Sequence, residues 1–298
     1  MIVSIKVDVD TDRGTKLGVP HLEKLFLELK VPATFLFSLG PDNTGRALKR
    51  IFRPGFLKKV SRTSVVKVYG IKTLLNGVLW PGPHIGQRHG LLMRATQQKG
   101  FEVGIHAYDH HYWQDYVSTL SQEQIWAEFN RARSMFQRVF GETAKTAGAP
   151  GWQANEKTLR VYDEAQLLYG SDCRGTEPFF PKVGDKIFKT LQIPTTLPTL
   201  DELIGRPEYP TENLVDHYLS LLKNDKPNVF TIHAELEGMH YLPFLRNFIT
   251  ACQQRGVIFQ TLEQVANQAF KNRDQIPICE MYQGSVDGRS GELAMQSS

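Results

Sequence analysis

The sequence predicts an α/β fold in which a mainly parallel sheet closes, or nearly closes, into a barrel of β/α units. Strand-like and helix-like segments alternate along the 298 residues, and neither an internal repeat nor a linker divides them. This length is ample for one buried core. We therefore expect one domain over residues 1–283, followed by a loosely packed or mobile tail over residues 284–298, which lacks a strong apolar pattern.

Short apolar runs indicate the strands, and apolar residues at helical spacing indicate the helices. The predicted strands lie at residues 2–9, 33–39 and 101–106, and within 144–149, 167–172, 189–194, 228–233 and 256–261. The predicted helices lie at residues 20–30, 121–141, 212–223, 241–254 and 261–270. The helix at 121–141 begins with a capping box, Ser121 to Gln124, and ends at Gly141.

Composition and charge are those of an ordinary globular protein, and the net charge of +4 is too small by itself to indicate nucleic acid. The three cysteines, Cys173, Cys252 and Cys279, are too few and too widely spaced for a disulfide framework, which favours a reducing compartment. The first residues lack the pattern of a secretory signal, and no apolar run is long enough to cross a membrane. We therefore expect a cytoplasmic protein.

An insertion at about residues 43–100, between the second and third strands, breaks the α/β alternation. No Asp or Glu lies between Asn43 and Phe101, whereas basic and apolar residues are interleaved there. Such a composition favours a surface for anionic lipid or a lipid-linked phosphate. A helical insert whose basic residues form a solvated face is the alternative. Nucleic acid is disfavoured, because nothing else in the chain resembles a nucleic-acid module.

Three sets of polar residues follow predicted strands, and in a barrel such strand ends converge on one mouth. Asp8 and Asp10 end the first strand, His106 and His110 follow the third, and His233 ends a later one. Histidines four apart share one face of a helical turn and could bind one metal. Each set alone could instead be structural or solvated. Together they predict a divalent metal on an Asp and two His, with a general base and a general acid beside it.

The motifs that contain these residues are "KVDVD", "HAYDHH", "APGW", "SDCRG" and "FTIHAE". Their order and spacing resemble the polysaccharide deacetylase (NodB-homology) family. The resemblance implies a distorted (β/α) barrel and hydrolysis of an amide on a sugar nitrogen. It implies that Asp8 is the base, that His233 is the general acid, and that Asp10, His106 and His110 bind one divalent metal ion, which could be Zn, Mn, Co or Ni.

Two departures from the family pattern concern the base. Val9 separates two aspartates that are usually adjacent in the family, and Ala149 stands near the place of an arginine that orients the base. We therefore expect the base to be held differently, or by Arg174 from another strand. Arg174 could also contact a substrate phosphate or form a salt bridge with Asp172.

Four more residues near these motifs are candidates for contacts with the substrate or the ligands. Asp109 and His111 lie beside the ligands and could orient an imidazole. Trp152 could stack on a sugar face, or be a buried core tryptophan. Glu235 could touch the amino group of the substrate.

Longer runs, such as "FSLGPDN", "SDCRG" and "QIPTTLPTLDE", narrow the resemblance to deformylases of this family that act on 4-deoxy-4-formamido-L-arabinose linked to undecaprenyl phosphate. This implies release of formate in lipid A modification and polymyxin resistance. The implied partners are the lipid-linked sugar and an anionic membrane surface at the inner face of the cytoplasmic membrane, without nucleic acid. A deacetylase of another N-acylated sugar, a metal-free cyclic-amide hydrolase and a non-catalytic membrane-binding barrel remain alternatives.

Overall fold

The computed structural model describes residues 1–46 and 75–297. Within these residues the strands are β1 (Ile2–Val9), β2 (Thr34–Ser38), β3 (Glu102–Ala107), β4 (Thr146–Ala147), β5 (Tyr169–Gly170), β6 (Phe180–Val183), β7 (Lys186–Ile187), β8 (Leu191–Gln192), β9 (Pro227–His233), β10 (Ile258–Phe259), β11 (Ile278–Gly284) and β12 (Leu293–Gln296).

The helices in the same residues cover the outside of the main sheet. They are α1 (Val19–Leu29), α2 (Ile85–Gln98), α3 (His110–Tyr116), α4 (Gln122–Phe140), α5 (Glu156–Glu164), α6 (Leu200–Leu203), α7 (Leu214–Leu221), α8 (Leu242–Gln254) and α9 (Leu262–Lys271). A π-helical turn at Gly14–Gly18 precedes α1. The predicted capping box of α4 is present, with Ser121 and Gln124 as its partners.

The main sheet is parallel and curls into a distorted barrel, as predicted. Its order is β9-β1-β2-β3-β4-β5-β8, and β10 pairs with the first residues of β1. Beyond β8 the regular pairing ends, but the N–H groups of Thr196 and Leu197 donate to the Val229 carbonyl in β9. Irregular backbone thus bridges β8 and β9, and the carboxyl ends of the strands face one mouth.

Strand β1 has two buried faces of different character. The apolar residues Val3, Ile5, Val7 and Val9 are fully buried in the hydrophobic core. The alternate residues, Ser4, Lys6 and Asp8, are buried as well, although they are polar. Because side chains alternate along a strand, these three residues share the face that points into the barrel.

A second, four-stranded sheet of order β12-β11-β6-β7 lies beside the barrel and was not predicted from the sequence. Its last strand contradicts the prediction of a loosely packed tail, because Leu293 and Ala294 are buried and β12 pairs with β11. The backbone of Arg174 also bonds to Ala294 and Gln296. The short run "LAMQ" has no local strand signal. It forms a strand because of its tertiary pairing with β11.

The predicted insertion is described in part. Residues 43–46 and 75–100 are described, and Ile85–Gln98 forms α2, in which Arg94 donates to the Val139 carbonyl of α4. The rest of the predicted helical and basic segment lies outside the described residues. In the described part of the chain, no helix combines the length and the apolar character needed to span a bilayer.

Candidate active site

The three predicted ligands converge at the mouth of the barrel. Oδ1 of Asp10 lies 3.2 Å from Nε2 of His106 and 3.5 Å from Nε2 of His110. One potential ligand atom from each of the three side chains lies within 4.8 Å of the others, and Asp10 and His106 are buried. This spacing fits coordination of a single ion.

The way the chain brings the two histidines together differs from the sequence argument. His106 lies near the end of β3, whereas His110 is the first residue of α3, so the pair does not share a helical turn. The chain turns between them at Asp109, the N-cap of α3. The ring of His106 is fixed by its Nδ1, which donates to the Gly148 carbonyl at 2.7 Å. Its Nε2 is therefore the ring atom left to face Asp10.

The donor set fits a divalent transition metal. Oδ1 of Asp10 is buried and accepts no hydrogen bond, yet it faces two imidazole nitrogens. Burial acts to raise the pKa of Asp10, but the rings of His110 and His106 outweigh it and lower that pKa. Burial acts to lower the pKa of His106, but the Asp8 and Asp10 carboxylates outweigh it and raise that pKa. The carboxylates that favour a proton on His106 would also favour a metal cation at the same place. Two imidazoles with one carboxylate suit Zn, Mn, Co or Ni.

The candidate base and acid lie side by side on neighbouring strands. Asp8 and His233 are register partners in β1 and β9, and the Ala234 N–H donates to the Asp8 carbonyl. Oδ1 of Asp8 lies 3.9 Å from Nδ1 of His106 and is buried without a hydrogen-bond partner. Oδ2 of the same carboxylate lies 3.4 Å from Nζ of Lys6. The structure thus brings Asp8, His106 and His233 to the same mouth.

Glu235 supports the turn that carries Asp10 and is not available to a substrate. Its Oε1 accepts hydrogen bonds from the N–H groups of Asp10 and Thr11 and from the Thr11 hydroxyl. Its side chain is buried, and a Cβ on Gly14 would lie only 1.8 Å from Oε1. Burial, with the nearby Asp10 carboxylate, raises the pKa of Glu235 well above its usual range. Glu235 therefore shapes the turn that carries Asp10, which contradicts the prediction that it touches the substrate amino group.

Asp109 and His111 have polar partners in and around the turn and helix that carry His110. Asp109 accepts hydrogen bonds from the Tyr112 N–H and from the Asn43 amide, so it holds the turn between the ligands. His111 is buried, and its Nε2 lies 3.0 Å from Oδ2 of Asp115. Asp109 therefore positions the ligands through the backbone, whereas His111 belongs to the packing of α3.

Arg174 and Asp172 do not form the predicted salt bridge. Arg174 donates to Glu202 at 2.7 Å and to the Leu197 carbonyl. Asp172 is fully buried and accepts hydrogen bonds from the Ala149 N–H at 2.6 Å and the Gln192 amide at 2.8 Å. Burial raises the pKa of Asp172 to about 6. The prediction that Arg174 could orient the base is wrong, because its guanidinium binds another carboxylate.

Trp152 is a buried tryptophan, the second of the two predicted alternatives. It is 2% exposed, and its Nε1 donates to the Thr195 hydroxyl. The cations of Lys6, Arg174 and Arg289 lie 5.5, 5.2 and 4.5 Å from its ring centroid. Its ring therefore contacts charged side chains of the protein and is not free to stack on a sugar.

Two residues near the site were missed in the sequence. Lys6 had one signal, since it precedes Asp8 by two positions in a strand and must share its face. Glu237 is fully buried, and its Oε2 accepts the His233 N–H at 2.8 Å. Burial raises the pKa of Glu237 to about 7. Its position four residues after His233 gave no indication of this contact.

Comparison with known proteins identifies one family model and several relatives that match this chain. The family described as "Polysaccharide deacetylase" matches residues 9–170. Two relatives are each named "Probable 4-deoxy-4-formamido-L-arabinose-phosphoundecaprenol deformylase ArnD". The one from Shewanella sediminis (strain HAW-EB3) is 34% identical over 99% of this chain and 95% of its own length. The one from Wigglesworthia glossinidia brevipalpis is 35% identical over 95% and 98%.

Solved structures with this fold are similar at low sequence identity. A probable polysaccharide deacetylase from Pseudomonas aeruginosa PAO1 has a TM-score of 0.58 at 18% identity and covers 91% of both chains. Puue allantoinase has a TM-score of 0.58 at 16% identity, over 91% of this chain and 90% of its own. At these identities the likeness concerns the fold alone.

Proposed function

The chain belongs to the polysaccharide deacetylase family, and we propose that it removes formate from 4-deoxy-4-formamido-L-arabinose linked to undecaprenyl phosphate. The observation that carries this proposal is the cluster of Asp10, His106 and His110 beside a separate buried carboxylate, Asp8. This site lies in a chain that aligns over nearly its full length with two relatives named as deformylases of that compound. The product would be the free aminosugar lipid used in lipid A modification and polymyxin resistance.

The three-residue cluster would hold one divalent metal. When bound, such a metal supplies a Lewis acid that polarises the formyl oxygen and lowers the pKa of water. Asp10, His106 and His110 would hold it, while the Gly148 carbonyl fixes the ring of His106 and Glu235 fixes the turn of Asp10.

Asp8 and His233 divide the proton transfers between them. Asp8 accepts a proton from the water that attacks the formyl carbon, and its unpartnered Oδ1 is the oxygen available for this. His233, on the adjacent strand, donates a proton to the sugar nitrogen as the C–N bond breaks. Water is consumed, and formate and a free amine leave.

Mass spectrometry of the lipid-linked formamido sugar tests the proposed function. The purified protein is stripped of metal and reloaded separately with Zn, Mn, Co or Ni. We expect loss of the formyl group with at least one metal and no loss in the stripped protein. An N-acetyl analogue tested in parallel separates a deformylase from a deacetylase. Full activity after chelation would instead indicate hydrolysis without a metal. Inactivity of every metal form on both the formyl and the acetyl sugar would indicate a non-catalytic barrel or the cyclic-amide hydrolase, which acts on a different bond.

We further propose that the reaction occurs at the inner face of the cytoplasmic membrane. A substrate with a phosphate and a long polyprenyl tail needs cations and apolar contacts for docking. In the described part of the acid-free segment, Val78, Leu79 and Trp80 are 54%, 67% and 41% exposed. Arg46 donates to the Gly77 carbonyl next to them.

This exposed apolar patch, Val78–Trp80, connects to the candidate site. Trp80 donates through its indole N–H to Asn76, and Asn76 donates to Oδ2 of Asp42. The same carboxylate accepts the N–H of Asp12, two residues beyond the ligand Asp10. Three successive hydrogen bonds, from Trp80 through Asn76 and Asp42 to Asp12, therefore connect the patch to the loop that follows Asp10.

Co-sedimentation with anionic vesicles tests the membrane proposal. One variant reverses to Glu three basic residues of the segment that lie outside the described residues: Lys58, Lys59 and Arg62. The control variant reverses to Glu three exposed basic residues elsewhere: Lys30, Arg255 and Lys271. We expect only the first variant to lose vesicle binding, by roughly 1 kcal/mol per charge removed. Equal binding by the natural protein and the first variant would contradict the proposal.

A further inference from the structure

We propose that Lys6 is the residue that positions the general base, in the role that the family gives to an arginine absent at Ala149. This inference rests on the proposed role of Asp8 in amide hydrolysis. Lys6 precedes Asp8 by two positions in β1, so the two side chains share the inward face of the strand. Its Nζ lies 3.4 Å from Oδ2 of Asp8, and its side chain is fully buried.

Two further contacts fix the ammonium group of Lys6 inside the barrel. Its Nζ donates to the Ser171 carbonyl, just beyond β5, at 3.1 Å. It also lies 5.5 Å from the ring centroid of Trp152. A Cβ on Gly148 would lie 3.4 Å from this Nζ and 3.1 Å from the Ser171 oxygen. The ammonium group thus lies beside the Gly148 position, next to Ala149, where the sequence lacks the arginine of the family.

Charge compensation explains why a lysine is tolerated in this place. A buried ammonium without a partner is costly, and so is a buried carboxylate. Among the described residues, Asp8 is the carboxylate within 4 Å of Nζ of Lys6. Asp172 also interacts electrostatically with Lys6 at longer range, but its hydrogen bonds come from the Ala149 N–H, the Gln192 amide and the Tyr162 hydroxyl. The ion pair of Lys6 is therefore directed at the candidate base.

The contact of Lys6 selects one oxygen of the base. Oδ2 of Asp8 faces Lys6, whereas Oδ1 is buried without a hydrogen-bond partner and lies 3.9 Å from the His106 ring. A carboxylate held at one oxygen keeps the other directed towards the metal ligands. Arg174, the other candidate for this role, is engaged by Glu202 instead. Lys6 thus fixes the rotamer in which Asp8 can accept a proton.

A double-mutant cycle on kcat tests the proposal, with the metal-loaded full chain as Lys6→Met, Asp8→Asn and the double variant. We expect Lys6→Met to lower kcat by roughly 10- to 100-fold, with KM and bound metal within about twofold of the natural protein. We expect the double variant to match Asp8→Asn alone within about twofold, because the base that Lys6 positions is already lost. A merely structural role would lower kcat by the same factor in both backgrounds.

Matched controls separate positioning from folding. Ser4→Ala changes another fully buried polar residue on the same face and should leave kcat within about twofold. Lys6→Arg keeps a cation and should recover part of the kcat lost in Lys6→Met. If Lys6→Met does not fold, the cycle is repeated with Lys6→Gln, which also removes the cation. Unchanged kcat in Lys6→Met, or factors that multiply in the double variant, would overturn the proposal.

The substrate choice keeps this inference distinguishable from the proposed function. The cycle is measured on whichever N-acylated sugar the natural protein hydrolyses. If the formamido-arabinose lipid is not hydrolysed but another N-acyl sugar is, the proposed substrate fails while the role of Lys6 is still tested. If the lipid is hydrolysed and the cycle shows no coupling, the role of Lys6 alone fails.

Discussion

Two buried cations lie against the same indole ring, that of Trp152, and belong to different parts of the molecule. Lys6, on the barrel side, pairs with Asp8 at the candidate site. Arg174 pairs with Glu202, and its backbone bonds to the last strand of the second sheet. Both are buried and paired, so burial and charge do not distinguish them. The two cations differ in the carboxylate that each one binds. Lys6 binds the candidate base, whereas Arg174 binds Glu202 and joins the barrel to the second sheet.

Loss of a metal ligand should have the largest effect. Asp10→Ala or His106→Ala removes one of three converging ligand atoms. We expect metal affinity to fall by more than the roughly 100-fold typical of changes outside the ligand shell, and activity to fall with it. Elemental analysis after dialysis measures bound metal. The matched control is His111→Ala, which changes a buried histidine paired with Asp115 and should keep its metal. Retained metal in His106→Ala would contradict the assignment.

Loss of the base or the acid should have the next largest effect. Asp8→Asn and His233→Ala should each lower kcat by roughly 100-fold or more, because each removes one proton transfer. Bound metal should change little, since neither residue belongs to the ligand cluster. Steady-state rates normalised to bound metal measure this. A loss of activity that follows loss of metal would place these residues in the ligand set instead.

On the second-sheet side, Arg174→Met should affect stability and spare catalysis. It leaves the carboxylate of Glu202 buried, which typically costs 3–5 kcal/mol. We expect about 3 kcal/mol, because Arg289 still lies 3.3 Å from Glu202. Denaturant unfolding measures this free energy. Under folding conditions kcat should stay within about threefold of the natural value. A fall in kcat as large as that of Lys6→Met would contradict the conclusion that Arg174 acts only on stability.

A stability effect of similar size, spread over a range of pH, is expected for Asp172. Burial raises its pKa from 3.8 to about 6, so its contribution is fully present below about pH 4 and is lost as the pH rises through about 6. The free energy of unfolding of the natural protein should therefore fall by about 3 kcal/mol relative to Asp172→Asn across that window. An amide opposite Gln192 adds a cost, but this cost does not depend on pH. Equal slopes for the two proteins would contradict this account.

The sequence predicted the parts of the site that follow regular strands. Asp8, His106 and His233 stand at the ends of long or strongly apolar strands, where the polar residue interrupts a clear pattern. Parallel strands then bring these ends together without further information. The fold class and the three-ligand cluster could therefore be predicted.

The second sheet and the ion pairs could not be predicted in the same way. Strands β6, β7 and β12 have two to four residues, too few for a periodic signal. The pair of Arg174 and Glu202 joins residues 28 positions apart through tertiary contacts. Lys6 is the exception, since its spacing from Asp8 placed both on one face, but an isolated lysine in a strand normally indicates a solvent-facing position.

Formate release from the lipid-linked formamido sugar, normalised to bound metal, tests the central claim most directly. The natural protein, its chelated form and Asp8→Asn are compared side by side. We predict formate release by the loaded natural protein, none after chelation, and a rate lower by roughly 100-fold or more in Asp8→Asn with its metal retained. Undiminished release after chelation, or by metal-loaded Asp8→Asn, would contradict the account.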